Sequence, residues 1–350
     1  MRARAAVWPR LGTLWLPALL CGACSQPAYL ARLGWEEARL LARRQPISVL
    51  LARDDLDAEV RDRLELVLSA RRFAREALGL RVNEVFTSFA DVDGQAVVYV
   101  VTAAYRDRLE AYTWWYPLVG RVPYRGFFDQ DDAQETGRSM EARGFDVDVR
   151  PAVAFSTLGW LPDPLLSPML ALQPVELVET VLHELAHVSL WIPGEVAFNE
   201  SAATFVGHRG AVAYFCAGPR AQGEHCETAR DRWTRMRRRA RLFAHLVRRL
   251  EALSAMPMPR RAYQARRAAI HRSAARGLVR HGLGNGASVY PPNNARLLAA
   301  LVYMTRLEDF EALVSRDAGL GPALARLRAA LRNAPQPFAA LDALLRSEAS

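Results

Sequence analysis

The chain of 350 residues contains no lysine, so all 46 of its Lys and Arg positions are arginine. A formal charge of +9 invites a nucleic-acid or acidic-membrane reading, because clustered cations attract phosphates. An all-arginine basic set instead looks like biased coding composition, and acidic residues are interspersed through nearly every arginine-rich stretch. The charge therefore reads as solvated helix faces, and no nucleic-acid partner is expected. Long apolar runs are also missing. The stretch from Leu11 to Leu20 is too short to span a bilayer and contains Pro17, and no later run replaces it, so the mature chain is expected to lack a transmembrane helix. There is no repeat of 20–50 residues, and no linker long or polar enough to force a domain boundary.

Cysteine is scarce, at 4 positions. Two of them close the N-terminal segment, which has the form of an export signal: Arg2, Arg4 and Arg10, then the apolar stretch, then small residues before Cys24. Leu20-Cys21-Gly22-Ala23-Cys24 resembles a bacterial lipobox, with Cys21 where leucine is usual. The expectation is lipidation at Cys24 and removal of residues 1–24, ordinary signal-peptidase cleavage being the alternative. Ser25 behind a lipidated Cys24 would, by the same resemblance, direct the protein to the outer membrane, facing the periplasm. The other two, Cys216 and Cys226, flank a polar segment containing Gly and Pro that can fold back on itself, and in an oxidising compartment a local disulfide is expected. No second Cys/His pair lies near enough to make them a zinc knuckle.

Apolar spacing predicts helices over Tyr29 to Arg44 and Asp57 to Leu78. The run AVVYVVTAA from Ala96 to Ala104 reads as a buried strand, and a second strand is expected from Phe145 to Phe155. Between them a polar helix from Gln130 to Arg143 should end at Gly144, and the aromatic, Pro- and Gly-punctuated segment Trp114 to Phe128 reads as irregular. A helix should start near Pro174 and stop at Trp191, before Pro193 and Gly194. It is apolar on most of its circumference, so its one polar stripe, Glu176, Thr180, His183, Glu184 and His187, must face a polar cavity or a metal. A further helix is expected from Phe198 to Val206. Beyond it lie two Arg-rich amphipathic helices, Thr228 to Leu253 and Pro259 to Val279, then Asn294 to Arg306 and Gly321 to Leu345. The fold class is α+β and mostly helical, with a small sheet ahead of the catalytic helix. One domain is expected from residue 25 to 350: helices and sheet to 165, metal-binding helices over 168–210, and a helical part over 224–348.

His183-Glu184-Leu185-Ala186-His187 is the HExxH pattern. Residues four apart lie one above the other on a helix, so both imidazoles reach one metal, and Glu184 stands beside it as general base for a water whose acidity the metal raises. With only 7 histidines in the chain, a chance occurrence is on the order of one in a hundred. Zinc catalytic sites take three protein ligands. Asn199-Glu200-Ser201-Ala202-Ala203 resembles the downstream helix motif of the gluzincins, the thermolysin-like class, making Glu200 the third ligand. Glu195, in the turn, and His208, expected at the frayed end of the second helix, are the alternatives. Thr204, one turn past Glu200, is a candidate hydrogen-bond partner for a ligand imidazole.

YPLVGRVPYRGFF from Tyr116, AFSTLGWLPDPLLSPML from Ala154, HELAH, AFNESAATFVG and NNARLLAALVY stand in the order seen in the bacterial predicted aminopeptidases, a family of zinc lipoproteins. The resemblance covers nearly the whole mature chain. It implies a zincin-like core of gluzincin type, one catalytic Zn2+ on His183, His187 and Glu200, a peptide or protein substrate, and attachment to the membrane through the N-terminal lipid. The chain has nothing equivalent to the Gly-Ala-Met-Glu-Asn amine clamp of better-known zinc aminopeptidases, which leaves exo- and endo-cleavage both open. By resemblance to other gluzincins, Tyr303, expected on the helix after Asn293 and Asn294, is the first candidate to stabilise the charge gained by the attacked carbonyl oxygen. Tyr124 and Tyr290 compete with it, and Asn293 or Asn294 are candidate helix caps. Phe155 to Trp160 is a candidate edge strand for peptide addition. The rival to an enzyme is a periplasmic binding or scaffold lipoprotein with a protease-like fold, against which the presence of Glu184 counts, and a hydrolase of peptidoglycan cross-links would differ only in substrate.

Overall fold

The computed structural model describes Trp35, Arg39 and residues 41–92, 98–116, 120–152, 163–283, 293–317, 319–332, 334 and 336–346. The export signal with Cys24, most of the helix expected from Tyr29, the segment Phe155 to Trp160, and Tyr290 lie outside the described residues.

The chain is α+β and mostly helical. After β1 (Gln45–Pro46) and α1 (Ile47–Leu51) comes α2 (Ala58–Glu76). Asp57 starts α2 by accepting from the Glu59 and Val60 amides, and the helix buries Leu64, Val67, Ala70 and Ala74, one face at helical spacing. β2 (Ser88–Ala90) joins β1 and, later, β8 (Leu165–Leu166) in a small mixed sheet. The strand expected from Ala96 is β3 (Val98–Ala104) within the described residues, and it is the centre of a second sheet, flanked antiparallel by β6 (Tyr124–Phe127) and β7 (Asp146–Ala152). The described residues of Trp114 to Phe128 are not irregular. They hold β4 (Trp114–Tyr116), paired with β5 (Gly120–Val122), and then β6. Strands this short, broken by Gly120 and Pro123, carry too few residues to show alternation in sequence. α3 (Gln130–Ala142), started by Asp129 and followed by Gly144 at φ 89°, covers one face of that sheet: a side chain at Gly137 would meet Val149 at 2.9 Å.

α4 (Ser167–Leu170) leads into α5 (Pro174–Leu190), which has proline in its first turn and buries Val175, Leu177, Val178, Val181, Leu182 and Leu185. α6 (Val196–Phe215) runs nine residues past the expected end at Val206. Gly207 and Gly210, just beyond that expected end, lie inside the helix where α5 passes. A Cβ at Gly207 would sit 2.7 Å from the Glu179 carbonyl oxygen, and one at Gly210 would sit 2.7 Å from the end of Leu182. α7 (Glu224–Ser254) and α8 (Arg260–Arg280) are the Arg-rich helices, with Trp233, Phe243, Leu246 and Leu250 on the buried side of α7. The helix expected over Asn294 to Arg306 ends early, as α9 (Asn294–Leu301), followed by a turn in which Arg306 adopts φ 58°, and α10 (Leu307–Arg316) then begins. Gly321 to Leu345 divides into α11 (Leu320–Leu331) and α12 (Pro337–Arg346), the second starting on a proline that cannot continue a preceding helix. One cluster of buried apolar side chains extends from Ile47 to Leu341 and includes the buried faces of α5 and α6. No helix among the described residues is long and apolar enough to cross a membrane.

A candidate metal centre between two helices

α5 and α6 form a helical hairpin whose turn is held by one side chain. Asn199, buried in the first turn of α6, accepts from the Ile192 amide at 2.9 Å and donates to the Ile192 carbonyl at 2.7 Å, satisfying backbone groups left free where α5 stops. The next residue, Glu200, thereby faces His183 and His187. Nε2 of His183 lies 3.3 Å from Nε2 of His187 and 3.4 Å from the Glu200 carboxylate, which is 3.7 Å from His187. Ligands at about 2.0–2.1 Å from a tetrahedral zinc stand about 3.3 Å from one another, so the three atoms already have the spacing of three tetrahedral vertices. Together His183, His187 and Glu200 can hold a metal ion.

Electrostatics agrees with that spacing. Burial works against charge on the His187 imidazole, but the adjoining Glu200 carboxylate, with Glu184 behind it, outweighs burial and holds the imidazole above its ordinary value. Burial likewise opposes the Glu200 charge, and the two imidazoles overcome it, holding the carboxyl well below the usual range. The pocket thus draws positive charge to a point between the two helices.

The other ligand candidates are engaged elsewhere. His208 is in mid-helix and not at a frayed end. Its Nδ1 lies 2.7 Å from the Glu179 carboxylate, which Arg232 also reaches at 2.7 Å, and its ring stacks on Trp233. Glu195 occupies the position before the first turn of α6, without a side-chain capping hydrogen bond, and lies outside the ligand cluster. Thr204 is buried and makes no side-chain hydrogen bond to either imidazole. Glu184 follows His183 on α5, and its Oε2 is buried with no hydrogen-bond partner among the described residues.

Tyr303 is not on a helix. It lies in the turn after α9, its ring 6.1 Å from the His183 ring between centroids. Ser201, fully buried next to Glu200, fixes this turn: its hydroxyl donates to the Val302 carbonyl at 2.7 Å and accepts from the Thr305 amide at 2.8 Å. The turn bearing Tyr303 is therefore fastened to the helix bearing Glu200. Tyr124, on β6, reaches the same pocket. Burial and the Glu200 charge push its phenol up to about 12, and burial first, then Glu200, raises Tyr303 as well. Both phenols thus stay protonated and able to donate. Asn293 caps α9 by accepting from the Arg296 amide at 2.9 Å, and Asn294 is buried against the sheet, donating to the Tyr105 carbonyl at 2.9 Å. Cys216 and Cys226, either side of the α6–α7 connection, are joined by a disulfide.

Sequence reasoning missed Ser201, Arg150, Gly207 and Gly210. Ser201 looked like any small helix residue. Arg150, on β7, has its guanidinium carbon 5.6 Å from the centre of the Tyr303 ring, a contact between segments far apart in sequence. Gly207 and Gly210 lie beyond the expected helix end at Val206. Because the Gly207 contact is backbone to backbone, Gly207→Ala is expected to spread α5 from α6, costing about 1–3 kcal/mol of stability and weakening zinc binding. Gly210→Ala, which meets only the movable tip of Leu182, should do less. Thermal unfolding and zinc titration of both variants check this, and equal effects would contradict it.

The family model described as "Putative aminopeptidase" matches residues 28–337, and the chain belongs to that family. No curated protein and no solved structure matches it.

Proposed function

We propose that the chain is a zinc-dependent metallopeptidase with a gluzincin-type core, hydrolysing peptide bonds by attack of water. The observation that carries this reading is the triangle of His183, His187 and Glu200 at tetrahedral spacing, with the unpartnered Glu184 oxygen beside it. Two imidazoles and a carboxylate suit zinc among the common divalent ions. When bound, the ion would supply Lewis acidity, making a water more acid and polarising the scissile carbonyl. The chain does the rest. Glu184 takes the proton as water attacks the carbonyl carbon, then delivers it to the amine nitrogen as the C–N bond breaks, so water is divided between the new carboxylate and the amine. Tyr303 donates to the carbonyl oxygen as it gains charge, with Tyr124 the second donor within the same pocket. The family description supports an aminopeptidase.

The same proposal places the protein outside the cytoplasm, anchored by lipid at Cys24 in the outer membrane and facing the periplasm. The Cys216–Cys226 disulfide supports an oxidising compartment. Incubation of the full chain with a mixed peptide library tests the activity. Cleavage should occur, stop on addition of a zinc chelator, and return with zinc; cleavage indifferent to the chelator would refute the metal mechanism. Tyr303→Phe should lower kcat by about tenfold or more with zinc content unchanged, whereas unaltered turnover would shift the donor role to Tyr124.

A further inference from the structure

Arg150 takes no part in the steps above, yet it adjoins them. It shares one face of β7 with Asp146 and Asp148, the face on which α9 packs: Asp146 accepts from the Asn294 amide at 2.8 Å, and Asp148 meets Arg296 at 3.5 Å. Asp146 is also held by Arg106 and Arg267. Asp148 also acts on Arg150 but is shared with Arg296, so two guanidiniums divide one carboxylate, and among the described residues none makes a contact ion pair with Arg150, whose buried Nε has no hydrogen-bond partner although the group is hydrogen-bonded to Tyr303. Its guanidinium carbon lies 5.6 Å from the centre of the Tyr303 ring, and that ring adjoins the His183 imidazole. A partly buried guanidinium with only a share of one carboxylate is costly, and the Tyr303 side chain offsets only part of the cost. The chemistry that completes such a group is a carboxylate, which guanidinium grips through two parallel hydrogen bonds.

The metal pocket sets the direction. If Tyr303 donates to the scissile carbonyl, a cation on the same ring stands a few ångströms along the bound peptide. Successive Cα atoms are about 3.8 Å apart, so that distance corresponds to the next residue or the one after it. Charge points the same way: a divalent ion with two neutral imidazoles, the Glu200 carboxylate and the Glu184 carboxylate sum to zero, and Arg150 leaves the pocket positive. We infer that Arg150 receives the substrate's free C-terminal carboxylate, so that the site selects short peptides ending one or two residues beyond the scissile bond. This rests on the peptidase reading and is compatible with an aminopeptidase, since a di- or tripeptide presents both of its ends to the pocket.

The test compares peptides that end in a free acid with the same peptides ending in an amide. With zinc-loaded full chain, kcat/KM for the acids should exceed that for the amides by about tenfold to a hundredfold. The ratio should fall close to one in Arg150→Gln and recover in part in Arg150→Lys, with zinc content the same in all three. A ratio near one in the unaltered chain, or one that survives Arg150→Gln, would overturn the inference and leave the peptidase reading standing. Calorimetry separates the two failures without turnover. In the Glu184→Gln background an N-acetylated dipeptide acid should bind at least about tenfold tighter than its amide, a difference that Arg150→Gln abolishes. If no peptide is cleaved but this difference is found, the peptidase reading fails and the carboxylate site remains; equal binding of acid and amide overturns the site.

Discussion

Glu184→Gln is expected to reduce turnover by about a hundredfold to ten-thousandfold while zinc stays bound. The amide has the shape of the carboxylate, so packing around α5 should be preserved and thermal unfolding little changed. What disappears is the proton acceptor. In the unaltered chain the buried Oε2 has no competing partner to hold it away from an attacking water, and no other unpaired carboxylate adjoins the ligand triangle among the described residues. Glu184 binds no metal in this arrangement, so metal content and activity should separate cleanly in this variant. Steady-state kinetics beside zinc analysis measures both. Near-normal cleavage by Glu184→Gln would remove it from the mechanism, and loss of zinc along with activity would assign it a different role, that of a ligand.

Glu200→Ala has the opposite signature, because it removes metal and activity together. The two imidazoles come from one helix and stay 3.3 Å apart without Glu200, but they offer only two of the three protein ligands that a catalytic zinc needs. Removing groups that merely support a ligand weakens zinc by about tenfold to a hundredfold, so loss of a direct ligand should exceed about a hundredfold. The metal-free protein changes as well. Glu200 is the main influence raising the His187 proton affinity, and with alanine in its place only the weaker influence of Glu184 opposes burial, so the imidazole should titrate at lower pH. Zinc titration and NMR of the imidazole protons give the two readouts. Zinc held at full strength by Glu200→Ala would disprove the assignment of the third ligand.

The HExxH helix was readable from residues alone, since i and i+4 spacing and an all-round apolar surface leave its polar stripe one destination. Glu200 could be placed because a helix motif marks it, but its alignment with the imidazoles depends on Asn199 holding the Ile192 backbone, which no local pattern announces. α6 outruns its expected end because glycine, which often stops a helix in solvent, here makes room for a neighbouring helix: a Cβ at Gly207 would lie 2.7 Å from the Glu179 carbonyl oxygen. Tyr303 was assigned to a helix because the apolar period continues through it, whereas Ser201 and the left-handed Arg306 make a turn there. Arg150 went unnoticed because its neighbours, Val100 through strand pairing and Tyr303 through the turn after α9, are far from it in sequence, separations that periodicity does not encode.

The measurement closest to the central claim is the metal content of the purified full chain, determined by inductively coupled plasma mass spectrometry after exhaustive dialysis against zinc-free buffer. One zinc ion per chain is expected, retained through dialysis and lost on chelation. A chain that emerges without metal, and that added zinc does not load, would contradict the account at its base, because the His183, His187 and Glu200 triangle would then be a protonated ion-pair cluster and not a metal site.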